Sequence, residues 1–363
     1  MDKTERYNRQ VILPEIGAEG QKKLAAARVL VIGAGGLGCP VLQYLAAAGV
    51  GTLGIVDHDT IDISNLQRQV LYDTADQGKQ KAVAAREKIQ RLNPDIVIHT
   101  HAEKLTENNI LGLFSGYDII VDSTDNFATK YLINDAAVKT AKPVVYGAIQ
   151  GFEGQISVFD STRGPCYRCL YPQPPQEAVA SCAENGVIGA LAGIAGTVQA
   201  MEAIKLIVDH QLFQSLVGKL WMIDTRMMET RILNIARQKE CPVCSKPPVE
   251  IALQNYSPVC SATMVTEIDC KDVTPDDAVI IDVRELPEWG EGHIDGAHHV
   301  PLTVLQKNIN VFTQPGDGKI CVLYCQKGGR SRKAAEQLLN AGFKNVYSLR
   351  GGFEAWKNTR SRG

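Results

Sequence analysis

The chain has 363 residues, 45% of them hydrophobic and 21% charged, which is too long for one core and comfortable for two domains. Lys and Arg number 38 against 40 Asp and Glu, so nothing in the charge balance indicates nucleic acid or an anionic membrane as the main partner. The charged N-terminus lacks a signal-peptide core, and we expect a cytoplasmic protein. Its 10 cysteines therefore indicate metal binding or thiol chemistry rather than disulfides.

Short apolar strands alternate with helical segments along most of the chain. This alternation predicts an α/β, Rossmann-like parallel sheet with helices on both faces, followed by a smaller α/β domain. The predicted strands are Arg28–Ile32, Thr52–Val56, Asp118–Val121, Pro143–Tyr146, Ser157–Phe159, Leu220–Asp224, Ala278–Val283, Lys319–Tyr324 and Val346–Leu349. We place the first domain at residues 1–248, a linker at 249–261 and the second domain at 262–363.

A glycine-rich turn directly follows the first predicted strand. Gly33, Gly35, Gly36 and Gly38 open a helical segment that runs to Ala48. Such glycines let the backbone approach a phosphate at a helix N-terminus, and Asp57, about twenty residues on, can accept hydrogen bonds from a ribose. Alone, this pattern predicts a nucleotide site, and its default interpretation is an NAD-dependent oxidoreductase.

Charged residues after Asp57 favour ATP over NAD. Arg68 and Lys81 can bind phosphate oxygens, and Asp125, after a strand, is a suitable Mg²⁺ ligand. Each residue alone is ambiguous, since Asp125 can equally cap the helix that begins near Ala128.

Six motifs together closely resemble the ubiquitin-activating-like adenylyltransferases of the MoeB/ThiF type, over residues 1–245. These enzymes activate the sulfur carriers of molybdenum cofactor and thiamine biosynthesis. The motifs are Arg6–Gln10, Gly33–Gly38, Asn65–Gln69, Gly78–Lys81, Ser123–Asn126 and Gly164–Cys169.

The resemblance implies specific roles for the site residues. Arg9, Asn65, Arg68 and Lys81 would contact the ATP triphosphate, Asp57 the ribose and Asp125 the Mg²⁺. Arg9 would reach into the partner subunit's site, which implies a homodimer. The implied reaction is attack of a carboxylate on the α-phosphorus, driven by positioning and charge stabilisation rather than by a protein nucleophile.

Two CxxC pairs predict a structural zinc site. Cys166 with Cys169 and Cys241 with Cys244 supply four thiolates, which close a tetrahedral Zn²⁺ shell and leave no open position. A thioredoxin-like redox pair is the weaker alternative.

Cys182 follows a proline-rich loop. It is either a small buried thiol or a nucleophile that meets the activated carboxylate or a persulfide. Its position matches the crossover-loop cysteine of the family, which accepts the carrier in some members.

Cys325 lies between an apolar strand and a helix, in a loop whose backbone N–H groups can stabilise a thiolate or persulfide. Lys327 and Arg330 add positive charge, and Gly328 lies between them. With segments such as Ile281–Glu285 and Leu349–Trp356, the loop resembles the rhodanese domain over residues 262–358. Many such loops carry Arg directly after the cysteine, whereas this one has Gln326.

Together the two resemblances imply ATP-dependent adenylation of the C-terminal glycine of a ubiquitin-like sulfur carrier ending in Gly-Gly. A Cys325 persulfide, loaded from a persulfide or thiosulfate donor, would then give a thiocarboxylate. One alternative is an activator of ubiquitin-like protein conjugation that forms a thioester at Cys182. The others are an NAD-dependent oxidoreductase and a non-catalytic scaffold.

Overall fold

The chain divides into two compact units, Met1–Pro258 and Val259–Gly363, each with its own sheet. The computed structural model describes residues 3–175, 186–254, 256, 265–273, 278–309, 312 and 319–360. The domain boundaries at residues 248 and 261 remain predictions.

The first unit contains an eight-stranded sheet. Its strands are β1 (Arg28–Ile32), β2 (Thr52–Val56), β3 (Val97–His101), β4 (Ile119–Asp122), β5 (Val144–Gln150), β6 (Glu153–Phe159), β7 (Lys219–Asp224) and β8 (Glu229–Asn234). They pair in the order β3-β2-β1-β4-β5-β6-β7-β8. The first five are parallel, and the predicted Rossmann-like α/β class is confirmed.

The last three strands extend this sheet in the antiparallel sense, which the sequence analysis did not predict. Gln150 of β5 pairs with Glu153 of β6, so only Gly151 and Phe152 connect the two strands. A two-residue connection is a hairpin turn and leaves no room for the crossover that a parallel pair needs.

Eight helices are described in the first unit. They are α1 (Lys3–Val11), α2 (Gly17–Ala26), α3 (Gly38–Ala48), α4 (Lys81–Leu92), α5 (Ile110–Ser115), α6 (Phe127–Thr140), α7 (Tyr167–Leu170) and α8 (Gly189–Val208). The core lies on both faces of the sheet, because successive side chains of a strand point to opposite sides. On β1, Val29 and Val31 join one apolar cluster, whereas Leu30 and Ile32 join the other.

Among the described residues, α8 is the one helix long and apolar enough to cross a membrane. It packs against α3 and against strands β5 and β6 of the sheet. The amide of the buried Gln199 on α8 donates to the Asp122 carbonyl oxygen at 2.8 Å. These contacts are those of a core helix in the first unit.

The second unit contains a five-stranded parallel sheet. Its strands are β9 (Thr266–Ile268), β10 (Ala278–Asp282), β11 (His298–His299), β12 (Ile320–Tyr324) and β13 (Val346–Leu349), in the order β11-β10-β12-β13-β9. Its described helices are α9 (Leu286–Gly290), α10 (Leu302–Lys307), α11 (Gly329–Asn340) and α12 (Gly352–Arg360). The predicted smaller α/β domain is confirmed.

Candidate active site

The residues predicted to bind the nucleotide follow three neighbouring parallel strands. Gly33 follows β1, Asp57 follows β2 and Ser123 follows β4. Strand β1 lies between β2 and β4, so the strand order reverses at this point. At such a reversal the connecting segments diverge, and a crevice opens at the carboxyl ends of the strands. This is the position at which open α/β sheets bind ligands.

A cavity of about 910 Å³ opens at this crevice, a size typical of small-ligand sites. Most of the predicted nucleotide-binding residues line it. They are Gly33, Gly35, Gly36, Asp57, Asn65, Arg68, Lys81 and Asp125. The fold therefore collects side chains from five separate segments around one space, although their roles in binding remain predictions.

Gly38 and Arg9 lie outside the residues that line this cavity. Gly38 begins α3, where an added Cβ would lie 1.9 Å from the carbonyl oxygen of Gly33. Its role in this chain is therefore to let the turn close. Arg9 lies exposed on α1, and its predicted reach into a partner's site remains a prediction.

Asp57 fixes the glycine turn as well as facing the cavity. Its carboxylate accepts hydrogen bonds from the backbone N–H of Ala34 and of Asp59, both at 2.8 Å. Burial raises the pKa of Asp57, although these two N–H donors oppose the shift. A ribose hydroxyl would therefore meet a carboxylate whose orientation is already fixed.

Lys81 is buried, and its ammonium group pairs with the carboxylate of Asp59 at 2.9 Å. Partial burial raises the pKa of Asp59, but the hydrogen bond and the charge of Lys81, together with the charge of His58, outweigh it and leave that pKa lowered. Asp59 also lines the cavity and was missed from the sequence, although it lies two residues after Asp57 in the same loop. The pair holds the lysine beside the cavity.

Arg68 and Asn65 belong to one structured turn at the cavity edge. The Arg68 guanidinium donates to the carbonyl oxygen of Ser64 at 3.1 Å. The Asn65 amide oxygen accepts from the backbone N–H of Asp62 at 3.3 Å, within a capping box. Local hydrogen bonds therefore orient both side chains.

Asp125 is exposed at the cavity and is not the cap of the following helix. Asn126 caps α6, since its side-chain oxygen accepts from the backbone N–H of Thr129 at 2.9 Å. The capping alternative for Asp125 is therefore wrong, and Asp125 is among the residues that line the cavity.

A buried ion pair that was not predicted from the sequence includes Lys130, which lines the cavity. The Lys130 ammonium lies 3.2 Å from the Asp122 carboxylate and donates to the Gly147 carbonyl oxygen at 2.8 Å. It also lies 4.8 Å from the ring centroid of Tyr146. The available signal was Lys130 directly before the apolar run Tyr131–Ile133 on α6.

The four predicted zinc cysteines form one buried cluster. Cys166 and Cys241 sulfurs are 3.5 Å apart, as are those of Cys169 and Cys244, and Cys166 and Cys169 are separated by 4.0 Å. All four sulfurs lie within 4.8 Å of one another. A tetrahedral site with Zn–S bonds of about 2.3 Å needs S···S separations of roughly 3.8 Å, so this donor set fits zinc.

Cys325 is buried at the end of β12, and the backbone N–H of Gly328 donates to its sulfur at 3.2 Å. Burial raises the pKa of Cys325, but hydrogen bonds from the backbone N–H groups of Ser331, Lys327 and Gly328 and from the Ser331 hydroxyl together outweigh it and leave the pKa lowered. The sulfur therefore has the environment of a stabilised thiolate.

The two cations predicted beside Cys325 are both paired with carboxylates. Arg330 forms a bidentate pair with Glu288 on α9, at 2.6 and 2.5 Å. Lys327 lies 3.9 Å from Glu354 on α12. The loop carries less free positive charge than its sequence indicates. Cys182 lies outside the described residues, so its predicted role stays a prediction.

The geometry agrees with the family comparisons. Residues 7–243 match the model of the ThiF family, and residues 266–359 match that of the rhodanese-like domain. The chain belongs to the ThiF family. The fusion recognised from the sequence, and the enzyme class that it predicts, are confirmed.

Two relatives of this ThiF-family chain are named as adenylyltransferases, and one of them also as a sulfurtransferase. It is 42% identical to the probable adenylyltransferase/sulfurtransferase MoeZ of Mycobacterium tuberculosis, over 97% of this chain and 92% of the relative. It is 46% identical to the sulfur carrier protein adenylyltransferase of Thermus thermophilus, over 71% of this chain and 97% of that relative.

The ThiF-family fold also occurs in solved structures. The crystal structure of Escherichia coli MccB with ATP matches with a TM-score of 0.59 and 23% identity, over 66% of this chain and 75% of that one. At this identity the likeness shows the fold alone.

Proposed function

We propose that this protein adenylates the C-terminal glycine of a ubiquitin-like sulfur carrier and then transfers sulfur to it from a Cys325 persulfide. The observation that carries the proposal is the convergence of Arg68, Lys81 and Asp125 with the glycine turn on one cavity. Cations and a carboxylate at that position suit a triphosphate with Mg²⁺ and are unnecessary for a nicotinamide dinucleotide.

In the first half-reaction, a carboxylate oxygen of the carrier attacks the α-phosphorus of ATP. The bond to the β-phosphate oxygen breaks, pyrophosphate leaves with the electron pair, and an acyl adenylate forms. Lys81 and Arg68 would stabilise the departing pyrophosphate, and Asp57 would orient the ribose. Asp125 would hold Mg²⁺, whose charge adds to that stabilisation when it is bound.

In the second half-reaction, the terminal sulfur of the Cys325 persulfide attacks the acyl carbonyl and AMP leaves. The product is an acyl disulfide between the carrier and Cys325. A thiol then attacks the Cys325 sulfur, which releases the thiocarboxylate and leaves a mixed disulfide that a second thiol reduces. Cys182 is a candidate for one of these thiols or for holding the carrier in a thioester.

Linking both sites in one chain raises the effective concentration of persulfide at the adenylate. The zinc cysteines have no step in this scheme, since four thiolates would leave zinc no open position. We further propose that the protein works in the cytoplasm, without nucleic acid or membrane partners.

The test is ATP–pyrophosphate exchange by the full chain with a panel of small proteins ending in Gly-Gly. Asp125→Ala should abolish the exchange and leave sulfur transfer by Cys325 intact. Cys325→Ala should retain the exchange and yield no thiocarboxylate, whereas Cys270→Ala should retain both. Exchange with no member of the panel, or loss of both activities in each active-site variant, would reject the proposal.

A separate experiment tests whether Arg9 of one subunit acts in the nucleotide site of the other subunit of a homodimer. Arg9→Ala and Asp125→Ala are each expected to be inactive in adenylation. Co-expressed in equal amounts, they form mixed dimers in which one site has both residues, so about a quarter of wild-type exchange should return. No recovery, with mixed dimers present, would show that Arg9 does not act across subunits.

A further inference from the structure

Every cation that the structure places on or directly against the Cys325 loop has a carboxylate partner. The pairs are Arg330 with Glu288, Lys327 with Glu354, and Arg284 with Asp282. We infer that Glu288, supported by Glu354, makes Cys325 select sulfur donors of low negative charge over dianions such as thiosulfate. This inference rests on the proposed role of Cys325 as sulfur acceptor and names the chemical class of its donor.

The Arg330–Glu288 pair is the central one. Both terminal nitrogens of Arg330 donate to the two oxygens of Glu288, at 2.6 and 2.5 Å, which is the strong bidentate form of this interaction. The pKa of Arg330 is raised by the hydrogen bond to Glu288 first, and also by the charge of Cys325 and a hydrogen bond to its sulfur. Arg330 is thus close enough to act on the sulfur, and Glu288 cancels its charge there.

The remaining neighbours of the sulfur add no net charge. Lys327 and Glu354 lie 3.9 Å apart, and the amide of Gln326 donates to the same Glu354 at 3.3 Å. Arg284 is buried, and it donates to Asp282 at 2.7 Å and to the Gln326 side-chain oxygen at 3.2 Å. Gln326 therefore bridges a compensated arginine and a glutamate without contributing a charge.

The loop backbone is the main electrostatic support that remains. Its N–H groups converge on one sulfur, so they stabilise the single charge of a thiolate or persulfide. A dianionic donor would bring two further negative charges beside that thiolate, and the paired side chains around it supply no net positive charge to offset them. A donor with one negative charge, such as a persulfide anion, meets half of this repulsion.

The step itself is the same for both classes. The Cys325 thiolate attacks the sulfane sulfur of the donor, a new S–S bond forms, and the bond inside the donor breaks. Thiosulfate releases sulfite and methanethiosulfonate releases methanesulfinate, and both leave the Cys325 persulfide anion. The two donors deliver the same sulfane sulfur and differ by one unit of charge.

The test compares these donors with cyanide as acceptor, using the full chain. Glu288→Gln removes one negative charge and leaves Arg330 uncompensated. Removing one unit charge at roughly 6 Å in a water-like dielectric changes kcat/KM about threefold for each negative charge on the donor. We therefore expect kcat/KM to rise about threefold for methanethiosulfonate, which has one charge, and about tenfold for thiosulfate, which has two. The ratio between donors therefore changes about threefold in favour of thiosulfate, and added salt should reduce this change.

Two variants separate charge from structure. Glu288→Asp keeps the charge and should keep the wild-type donor ratio, even if a shorter side chain slows both reactions. Glu354→Gln should change the ratio in the same direction but less, since Lys327 is 76% exposed and Glu354 48% exposed, which leaves their charges screened by water.

An unchanged donor ratio in Glu288→Gln, with both donors still used, would overturn the inference and leave the proposed function standing. A wild-type chain that transfers sulfur from neither donor would instead reject the role of Cys325, and the inference with it.

Discussion

The guanidinium of Arg168 donates two hydrogen bonds of 2.8 Å to the carboxylate of Asp135, and both side chains are buried. Arg168 lies between the zinc cysteines Cys166 and Cys169, whereas Asp135 lies on α6. The guanidinium is also held between the rings of Tyr131 and Tyr256, at 4.9 and 4.8 Å from their centroids. This ion pair therefore ties the cysteine cluster to the body of the first unit.

Arg168→Ala should strongly destabilise the first unit. It would leave the buried carboxylate of Asp135 without its charged partner, a loss of about 3–5 kcal/mol in the free energy of unfolding. Urea denaturation measures this loss in the free energy of unfolding. Arg226→Ala is the matched control, since Arg226 pairs with Asp224 on the surface and its loss should barely move the unfolding midpoint. Similar losses from both variants would contradict this account.

Zinc should copurify with the protein as one ion per chain, bound by the four cysteines. Cys241→Ser should lose the metal and lower Tm, because a structural site contributes its binding energy to folding. Metal analysis and a thermal melt measure the two effects. Cys270→Ser, outside the cluster, should keep the metal and the Tm of the wild type. Full zinc content in Cys241→Ser would exclude this site.

Two alanine substitutions in the glycine turn should have different effects. A Cβ at Gly38 would lie 1.9 Å from the Gly33 carbonyl oxygen, so Gly38→Ala should destabilise the turn and reduce the yield of folded protein. A Cβ at Gly35 would meet only the Gln69 side chain, at 3.5 Å. Gly35 lines the cavity, so the added methyl group would take up space there.

Gly35→Ala should therefore fold normally and bind ATP more weakly, by about tenfold or more, because its methyl group blocks close approach of a phosphate. Thermal melts and ATP titration separate the two outcomes. Unchanged ATP affinity in folded Gly35→Ala would remove the glycine turn from the binding site.

The lowered pKa of Cys325 predicts the pH dependence of its alkylation. Iodoacetamide reacts with the thiolate, so the rate should fall as pH drops through the pKa of Cys325 in the folded protein. Its midpoint should lie below the ordinary cysteine value of about 8.5. Cys321, whose pKa burial raises to about 12, should not react in this range.

The backbone donors behind this shift can be tested with neighbouring glycines. Gly328 has a φ of +101°, which strains any other residue, so Gly328→Ala should displace its N–H and move the alkylation midpoint upwards. The Cβ added by Gly329→Ala has no other atom within 4 Å, so this variant should leave the alkylation midpoint unchanged. Equal midpoints in both variants would show that the loop backbone does not set the reactivity.

Local sequence predicted the first strands and the chemistry at their ends. Strands Arg28–Ile32, Thr52–Val56 and Val346–Leu349 have the predicted bounds, since runs of apolar, mostly β-branched or aromatic residues between turn residues have few other conformations. Two short-range patterns also carried information, the glycine turn and the CxxC pairs. The glycines of the turn and the two cysteines within each CxxC pair are neighbours along the chain, and the shared ligand chemistry of the two pairs indicated that they belong together.

The pairing of charges could not be predicted in this way. Arg168 and Asp135 are 33 residues apart, and Arg330 and Glu288 are 42 apart, with nothing in either segment that points to the other. Lys81 and Asp59 are likewise brought together by the loop between β2 and α4. Which cations stay uncompensated depends on these partners, so the sequence overestimated the positive charge at Cys325.

The sequence by itself determined the two domain types, the glycine turn, the four clustered cysteines and the identity of Cys325. Each follows from a short local motif, or, for the cysteines, from two such motifs whose ligands together complete one tetrahedral site. Only the tertiary structure decided the antiparallel extension of the sheet, the residues that share the cavity and the carboxylate opposite each cation. Electrostatic interactions depend on distances through space, and the fold sets these distances between segments that the sequence keeps apart.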